Sequence, residues 1–269
     1  MTSFFDRLFG KHSSSLPAAA PSAPQQTPDP VPDVATPFDD AALKRAAFRK
    51  SIDERRKDDL CIGARIGGAE ILERLIDSMR KTDPRGVHLD SLLMTLGALG
   101  GYACQAALRA VAKERGVAEE SVFVVASGAD GKRYFYGDEL NKPLLESQYS
   151  LWNMAAGRAQ KLGCRRFPDV AEIAKHVATT VGTGTFGMPR VPEGMHLFDD
   201  PATVLRRLWP AMQPEVAWFC ASPNEWPMLF GFSVQELLER GKDAAPIENA
   251  LALVMECAIP MSKVDLQAG

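Results

Sequence analysis

The run SLLMTLGALGGYACQAAL, residues 91–108, holds eighteen consecutive residues without a charged side chain. Within it, Gly97 and Gly101 stand four residues apart, which is the spacing that lets two helices approach closely. The run is at the short limit for a membrane-spanning helix, and it contains Ser, Thr, Tyr and Gln. It therefore predicts the buried central helix of a folded domain, with other helices packed around it.

Patterns after this run indicate further helices. Apolar residues with helical spacing predict helices over about 146–162 and 169–181. Another helix is expected from Pro201, because an acidic cap residue precedes a proline at the first helical position. Pro210 and Pro214 are expected to break or kink that helix. The chain is thus predicted to be mainly helical.

One segment of the chain has the residue pattern of β-strands and not that of a helix. SVFVVAS and KRYFY are rich in β-branched and aromatic residues and are separated by the turn sequence GADG, which predicts a β-hairpin near residues 121–136. Its first strand is apolar on both faces, and an isolated two-stranded ribbon is only marginally stable in water. We expect helices to cover the hairpin, another strand to join it, or a second copy to pair with it. The fold class is mainly α with a small embedded β-hairpin (α+β).

The composition changes sharply near the N-terminus. Residues 1–12, here called the tag, form an amphipathic pattern if helical, and residues 13–37, the linker, are rich in Pro, Ala and Ser with no apolar periodicity. The single helical globular domain is expected over 38–269. The tag is either a frayed terminus or a docking motif for a partner protein or a membrane surface. Its candidate partner-binding residues are Phe4, Phe5, Leu8 and Phe9.

The net charge and the cysteine positions limit which partners, metal sites and cellular compartment are expected. The formal net charge of −3 provides no field to attract nucleic acid, so no nucleic-acid partner is expected. None of the five cysteines stands within four residues of another, which excludes a C-x-x-C zinc or redox pair. Residues 1–15 lack the basic start and apolar core of a signal peptide. These features predict a cytoplasmic protein with free thiols.

A glycine motif lies in VATTVGTGTFGMPR, residues 177–190, where Gly182, Gly184 and Gly187 have the spacing G-x-G-x-x-G. The dinucleotide-binding fingerprint needs a strand before the glycines and a helix after them. Here an amphipathic helix precedes the glycines, and prolines follow them. We therefore predict that Gly182 ends a helix, and we expect no cofactor.

The segment 182–199 has no secondary-structure signal, and long loops inside compact domains are often functional. Arg190, Glu193 and His196 are its candidate catalytic residues, with His196 as a general base. Glu193, His196 and Asp199 are candidate metal ligands if the loop curls. The alternative is a plain loop in which Asp199 or Asp200 caps the next helix.

Four runs along the body of the chain resemble a family of uncharacterised bacterial cytoplasmic proteins. The likeness covers the chain from about residue 60 to its end, and it implies a bacterial cytosolic protein without implying any catalytic residue. The runs are TLGALGGYACQ (95–105), YFYGDELNKPLLE (134–146), PNEWPMLFGFSVQELLERGKD (223–243) and ECAIPMSKVD (256–265).

Two functions follow as hypotheses. The first is a non-enzymatic interaction module that binds a protein partner, with a second copy of the chain as one candidate. It is favoured by the tag, by the two-faced apolar hairpin and by the lack of a complete catalytic constellation. The second is a small-molecule or metal-dependent enzyme whose site lies under the loop 182–199. It requires Arg190, Glu193 and His196 to converge on one pocket.

Overall fold

The computed structural model describes residues 37–266, with side chains from residue 41. It is 66% helical and contains a small two-stranded antiparallel sheet, which confirms the predicted fold class. The tag and nearly all of the linker lie outside the described residues. The helices are α1 (Pro37–Arg55), α2 (Ile62–Thr82), α3 (Leu89–Glu114), α4 (Asp138–Asn141), α5 (Leu151–Lys161), α6 (Val170–Thr180), α7 (Pro201–Phe219), α8 (Trp226–Gly241) and α9 (Ile247–Met261), and the strands are β1 (Val124–Ser127) and β2 (Arg133–Tyr136).

The uncharged run forms most of α3, which lies at the centre of the helical packing against α7, α8 and α9. Its length and composition would suit a membrane span, but 89% of its most apolar 18-residue stretch is buried inside the fold. A Cβ at Gly101 would overlap the carbonyl oxygen of Ala258, and one at Gly97 would come within 2.5 Å of the carbonyl oxygen of Val254. The glycine spacing therefore allows α3 and α9 to approach closely, as the sequence predicts.

The hairpin is covered and joined within a single chain. Strands β1 and β2 pair antiparallel, and Tyr134 of β2 also forms a bridge to Val264 near the end of the chain. Phe123 and Phe135 are buried and meet edge to face, with ring centroids 5.2 Å apart. Val124 is 66% exposed on the outer side. Of the three expected ways to protect the hairpin, cover by the fold and a further paired segment are both present.

Helix α7 is not broken at its prolines, because it continues through Pro210 and Pro214 to Phe219. Each proline removes one intrahelical hydrogen bond, which alone would destabilise an isolated helix. Buried apolar residues on both sides of the prolines hold this helix against the core. Packing on the core thus outweighs the local preference of the prolines. These buried residues include Val204, Leu205, Leu208 and Val216.

Candidate functional site

A groove with a volume of about 860 Å³ lies between the C-terminal half of α3 and the middle of α7. Its floor is aromatic: Tyr102 and Trp209 are almost fully buried and meet edge to face at 5.0 Å. We call it the α3–α7 groove. The residues that define it are Tyr102, Ala106, Lys113, Arg206, Trp209 and Gln213.

The spacing of residues along the two helices explains the shape of the groove. On α3, Tyr102, Ala106 and Lys113 are separated by four and seven residues, so they lie on one helical face. On α7, Arg206 and Gln213 are seven residues apart on the facing side. Since the α3 wall carries alanine side chains at its middle turns, no large side chain fills the space between the helices.

Two cationic side chains lie along the groove. Arg206 and Lys113 are both exposed, and within residues 41–266 neither forms an ion pair with a carboxylate. Glu114 lines the same end of the groove as Lys113. A guanidinium that is not already paired binds a carboxylate with charge-assisted hydrogen bonds. The groove therefore favours a ligand with an acidic group near Arg206.

An ion cluster closes the groove at one end. The Arg109 side chain is only 10% exposed and donates hydrogen bonds to Glu119 (2.6 Å) and Asp265 (3.1 Å). Burial opposes the charge on Arg109, but the two carboxylates raise its pKa overall. Its guanidinium also lies 4.8 Å from the Phe135 ring centroid. Arg109 thus joins α3, the segment after it and the C-terminal segment, and its role is structural.

A second cavity of about 360 Å³ shares Arg206 and Leu266 with the groove and extends it toward the hairpin. Phe186 of the 182–199 loop packs edge to face on Tyr134 at 4.7 Å. The Tyr134 hydroxyl donates to Asp130 at 2.9 Å, and burial together with that carboxylate raises the pKa of Tyr134 to about 12. The two cavities thus adjoin at Arg206 and Leu266.

Gly182 has the role that the sequence predicts. Helix α6 ends at Thr180, and Gly182 follows it with a φ of 73°, the left-handed conformation that favours glycine. A Cβ at this position would overlap the backbone of Ala129 in the hairpin turn. The glycine-rich segment therefore packs against the hairpin through its backbone.

Among the loop residues, Arg190 binds two carboxylates from different helices. Its Nε donates to Glu256 of α9 at 2.9 Å, and Nη1 donates to Glu172 of α6 at 2.8 Å. Glu256 is 7% exposed, whereas Glu172 is exposed. The hydrogen bond from Arg190 lowers the pKa of Glu172. Arg190 therefore fixes the loop to the fold.

The other loop candidates face different neighbours. Glu193 and His196 are exposed, and the backbone N–H of His196 donates to Asp90 at 2.8 Å. Asp199 forms an ion pair with Arg207 at 3.2 Å. Within the part of the chain that the structure describes, no group of three or more His, Cys, Asp or Glu residues is arranged to hold a metal ion. The structure gives these candidates separate contacts and does not bring them together.

The plain-loop alternative has direct support at the start of α7. The side chain of Asp200 accepts a hydrogen bond from the backbone N–H of Thr203 at 2.8 Å. This is the helix cap that the sequence suggests, and it satisfies one of the free amides in the first helical turn.

A small cavity of about 60 Å³ lies where the loop ends, and it contains an imidazole–carboxylate pair. His88 Nε2 is 3.1 Å from Asp83 Oδ2, and Arg85 donates two side-chain hydrogen bonds to the same carboxyl group. The Arg85 guanidinium holds the pKa of Asp83 well below its usual range. Ser91 also lines the cavity, and Phe198 packs on His88 with ring centroids 5.0 Å apart.

The α3–α7 groove and the His88–Asp83 cavity are built from residues that no sequence motif connects. Tyr102 and Trp209 are far apart in the chain, and only the packing of α3 beside α7 brings them together. Asp83 and His88 are closer, but their contact depends on the turn between α2 and α3. One sequence signal for the groove is the alanine at positions 106 and 110, because these small side chains leave space beside that face of α3.

The predicted partner-binding residues Phe4, Phe5, Leu8 and Phe9 lie outside the described residues. Comparison of the chain with family models, curated proteins and solved structures found no match. The resemblance to uncharacterised bacterial proteins therefore stays a prediction.

Proposed function

We propose that this protein is a non-enzymatic, cytoplasmic interaction module of a bacterial cell that binds a segment of a partner protein in the α3–α7 groove. The observation that carries the proposal is the groove itself, which has an aromatic floor between two helix faces. The five free cysteines, four of them buried, support a reducing compartment.

The dimensions of the groove suit a helical segment. From Tyr102 to Lys113 the α3 wall extends roughly 16 Å at the usual helical rise, which is about three turns. Amphipathic helices commonly bind in grooves of this kind through apolar residues at helical spacing. The aromatic floor would contact those apolar residues, and the open rim would leave the outer face of the bound helix in water.

The polar groups of the groove define the chemistry of the segment. Arg206 and Lys113 favour an acidic residue beside the apolar anchors, since charge complementarity orients a partner and speeds its association. The partner segment is therefore expected to be amphipathic, with aromatic or leucine anchors and an acidic residue about one turn away.

Selection from a phage-displayed library of random 12-residue peptides tests this proposal. With the full-length protein as bait, we expect enriched peptides that share the pattern of apolar anchors and an acidic residue. Ala106→Glu places a charge in the α3 wall and should weaken their binding at least tenfold. Arg206→Glu, at an exposed position that leaves the fold unchanged, should also weaken it.

Ala171→Glu is the matched control, because Ala171 is exposed on α6 and does not line the groove. Circular dichroism and urea unfolding verify that each variant folds. The proposal is overturned if no peptide is enriched, or if the enriched peptides bind the two groove variants as tightly as the control.

A second candidate function, an enzyme with a site at the 182–199 loop, is favoured by the His88–Asp83 pair. A carboxylate-bound imidazole and a serine line the same cavity, and a histidine that reaches a serine hydroxyl can activate it as a nucleophile. A cavity of about 60 Å³ is far smaller than usual small-molecule sites, so a substrate would have to displace Phe198. For this reason the interaction module is the function that the geometry favours.

A fluorophosphonate probe, which reacts with activated serines, tests this second function. Labelling of Ser91 that disappears in the His88→Gln variant would support a hydrolase. If Ser91 is not labelled in the folded full-length protein, the nucleophile is absent and the enzyme hypothesis fails.

A further inference from the structure

We infer that the tag, residues 1–12, binds in the α3–α7 groove of its own chain and blocks it until a partner segment displaces the tag. This inference rests on the proposed function, because it names the regulation of the same groove. Its support comes from the chemistry of the tag and the length of the linker.

The chemistry of the tag matches that of the groove. In the sequence SFFDRLFGK, Phe5 and Phe9 stand one helical turn apart, and Leu8 lies on the same face if the segment is helical. These side chains suit the floor formed by Tyr102 and Trp209. Asp6 is the one carboxylate of the tag, which also carries Arg7 and Lys11, so only Asp6 can pair with the cationic rim.

The linker is long enough to bring the tag to the groove. It spans residues 13–37, which are rich in proline, and a Pro-rich chain of this length reaches up to roughly 78 Å when it is extended. That reach exceeds the dimensions of a small domain, which are about 30 Å. The tag can therefore reach the groove without any change in the fold.

A tethered tag needs only weak intrinsic affinity to block the groove. A short flexible linker gives an effective concentration on the order of 1 mM. A tag with a dissociation constant of ~100 μM would then occupy the groove in about nine-tenths of the molecules. The apparent affinity of a partner segment would then be approximately tenfold lower than its affinity for the open groove. Removal of the apolar tag residues would restore the full affinity.

Photo-crosslinking of the full-length protein tests the inference. Benzoylphenylalanine replaces Phe5 in one variant and Arg7, which lies off the apolar face, in a matched control. After irradiation, we expect Phe5→benzoylphenylalanine to give a crosslink within one chain to residues 102–113 or 206–213, at least fivefold more abundant than with the control. Adding Ala106→Glu should abolish that crosslink.

Each other result overturns the inference. A crosslink between two chains would assign the groove to the tag of a second copy, and a crosslink elsewhere, or none above the control, would separate the tag from the groove. A second measurement uses the double variant Phe5→Ser, Phe9→Ser, which should bind the library-selected peptide about tenfold more tightly than the natural chain. An unchanged peptide affinity would show that the tag does not block the groove, while peptide binding in the groove would still support the proposed function. Failure of this inference is therefore distinguishable from failure of the proposed function.

Discussion

Gly101 lies in the contact between α3 and α9, where a Cβ would overlap the backbone carbonyl of Ala258. A backbone atom cannot move aside as a flexible side chain can, so Gly101→Ala must push the helices apart. We expect this substitution to lower the free energy of unfolding by about 3 kcal/mol. Urea unfolding, followed by circular dichroism, measures this change.

Gly157 in α5 provides the matched control, because no atom lies within 4 Å of a Cβ added there. Gly157→Ala should raise the free energy of unfolding by about 0.5–1 kcal/mol, since alanine is the better helix former. Equal effects of the two substitutions would contradict the close approach of α3 and α9.

Lys263 is 6% exposed beside Cys104 and Tyr136, and burial lowers its pKa to about 8. Between pH 8 and about 10.5 the unfolded chain holds a proton that the folded chain has lost, so this lysine makes stability rise with pH in that window. Cys104 and Tyr136 have raised pKa values and act in the opposite direction at high pH.

A comparison of variants separates the effect of Lys263 on stability from the effects of Cys104 and Tyr136. The stability of Lys263→Met relative to the natural chain should fall by about 2 kcal/mol from pH 7 to pH 10, because the natural chain loses its buried charge. Urea unfolding at both pH values measures it. Lys113→Met, at an exposed lysine, should show no such change, and a pH-independent difference for Lys263→Met would refute the effect of burial.

At the scale of elements, the 182–199 loop depends on one ion pair with a buried partner. Arg190 binds Glu256, which is almost fully buried, and also the exposed Glu172. Glu256→Gln should speed amide hydrogen exchange in residues 183–199 at least tenfold, because hydrogen bonds to charged groups contribute about 1.5–3 kcal/mol.

Glu172→Gln is the control for that measurement, since exposed ion pairs contribute only about 0–1 kcal/mol. Its hydrogen exchange should stay close to that of the natural chain. If both variants exchange alike, Glu256 does not anchor the loop.

The elements differ in how far sequence alone could predict them. Helix α3 and the hairpin are local patterns, an uncharged run and two β-branched segments around a turn, and both are confirmed. Helix α7 is different, because Pro210 and Pro214 disfavour a helix locally. Only the packing of its apolar face on the core holds it together, and that packing is a tertiary effect.

At the scale of the whole molecule, the groove depends on where α3 and α7 lie relative to each other. The pairing of Tyr102 with Trp209 has no signature in a single sequence, because either residue alone has the pattern of an ordinary core position. The sequence does predict the candidates in the 182–199 loop, but tertiary contacts with Glu256, Asp90 and Arg207 give three of them separate structural roles.

A crystal structure of the full-length protein with the tightest peptide from the library selection tests whether the α3–α7 groove is the binding site. We expect the peptide to lie as a helix between α3 and α7, with an apolar side chain against Trp209 and an acidic side chain within hydrogen-bonding distance of Arg206. A peptide bound at another surface, such as the outer edge of β1, with the groove unchanged, would contradict it.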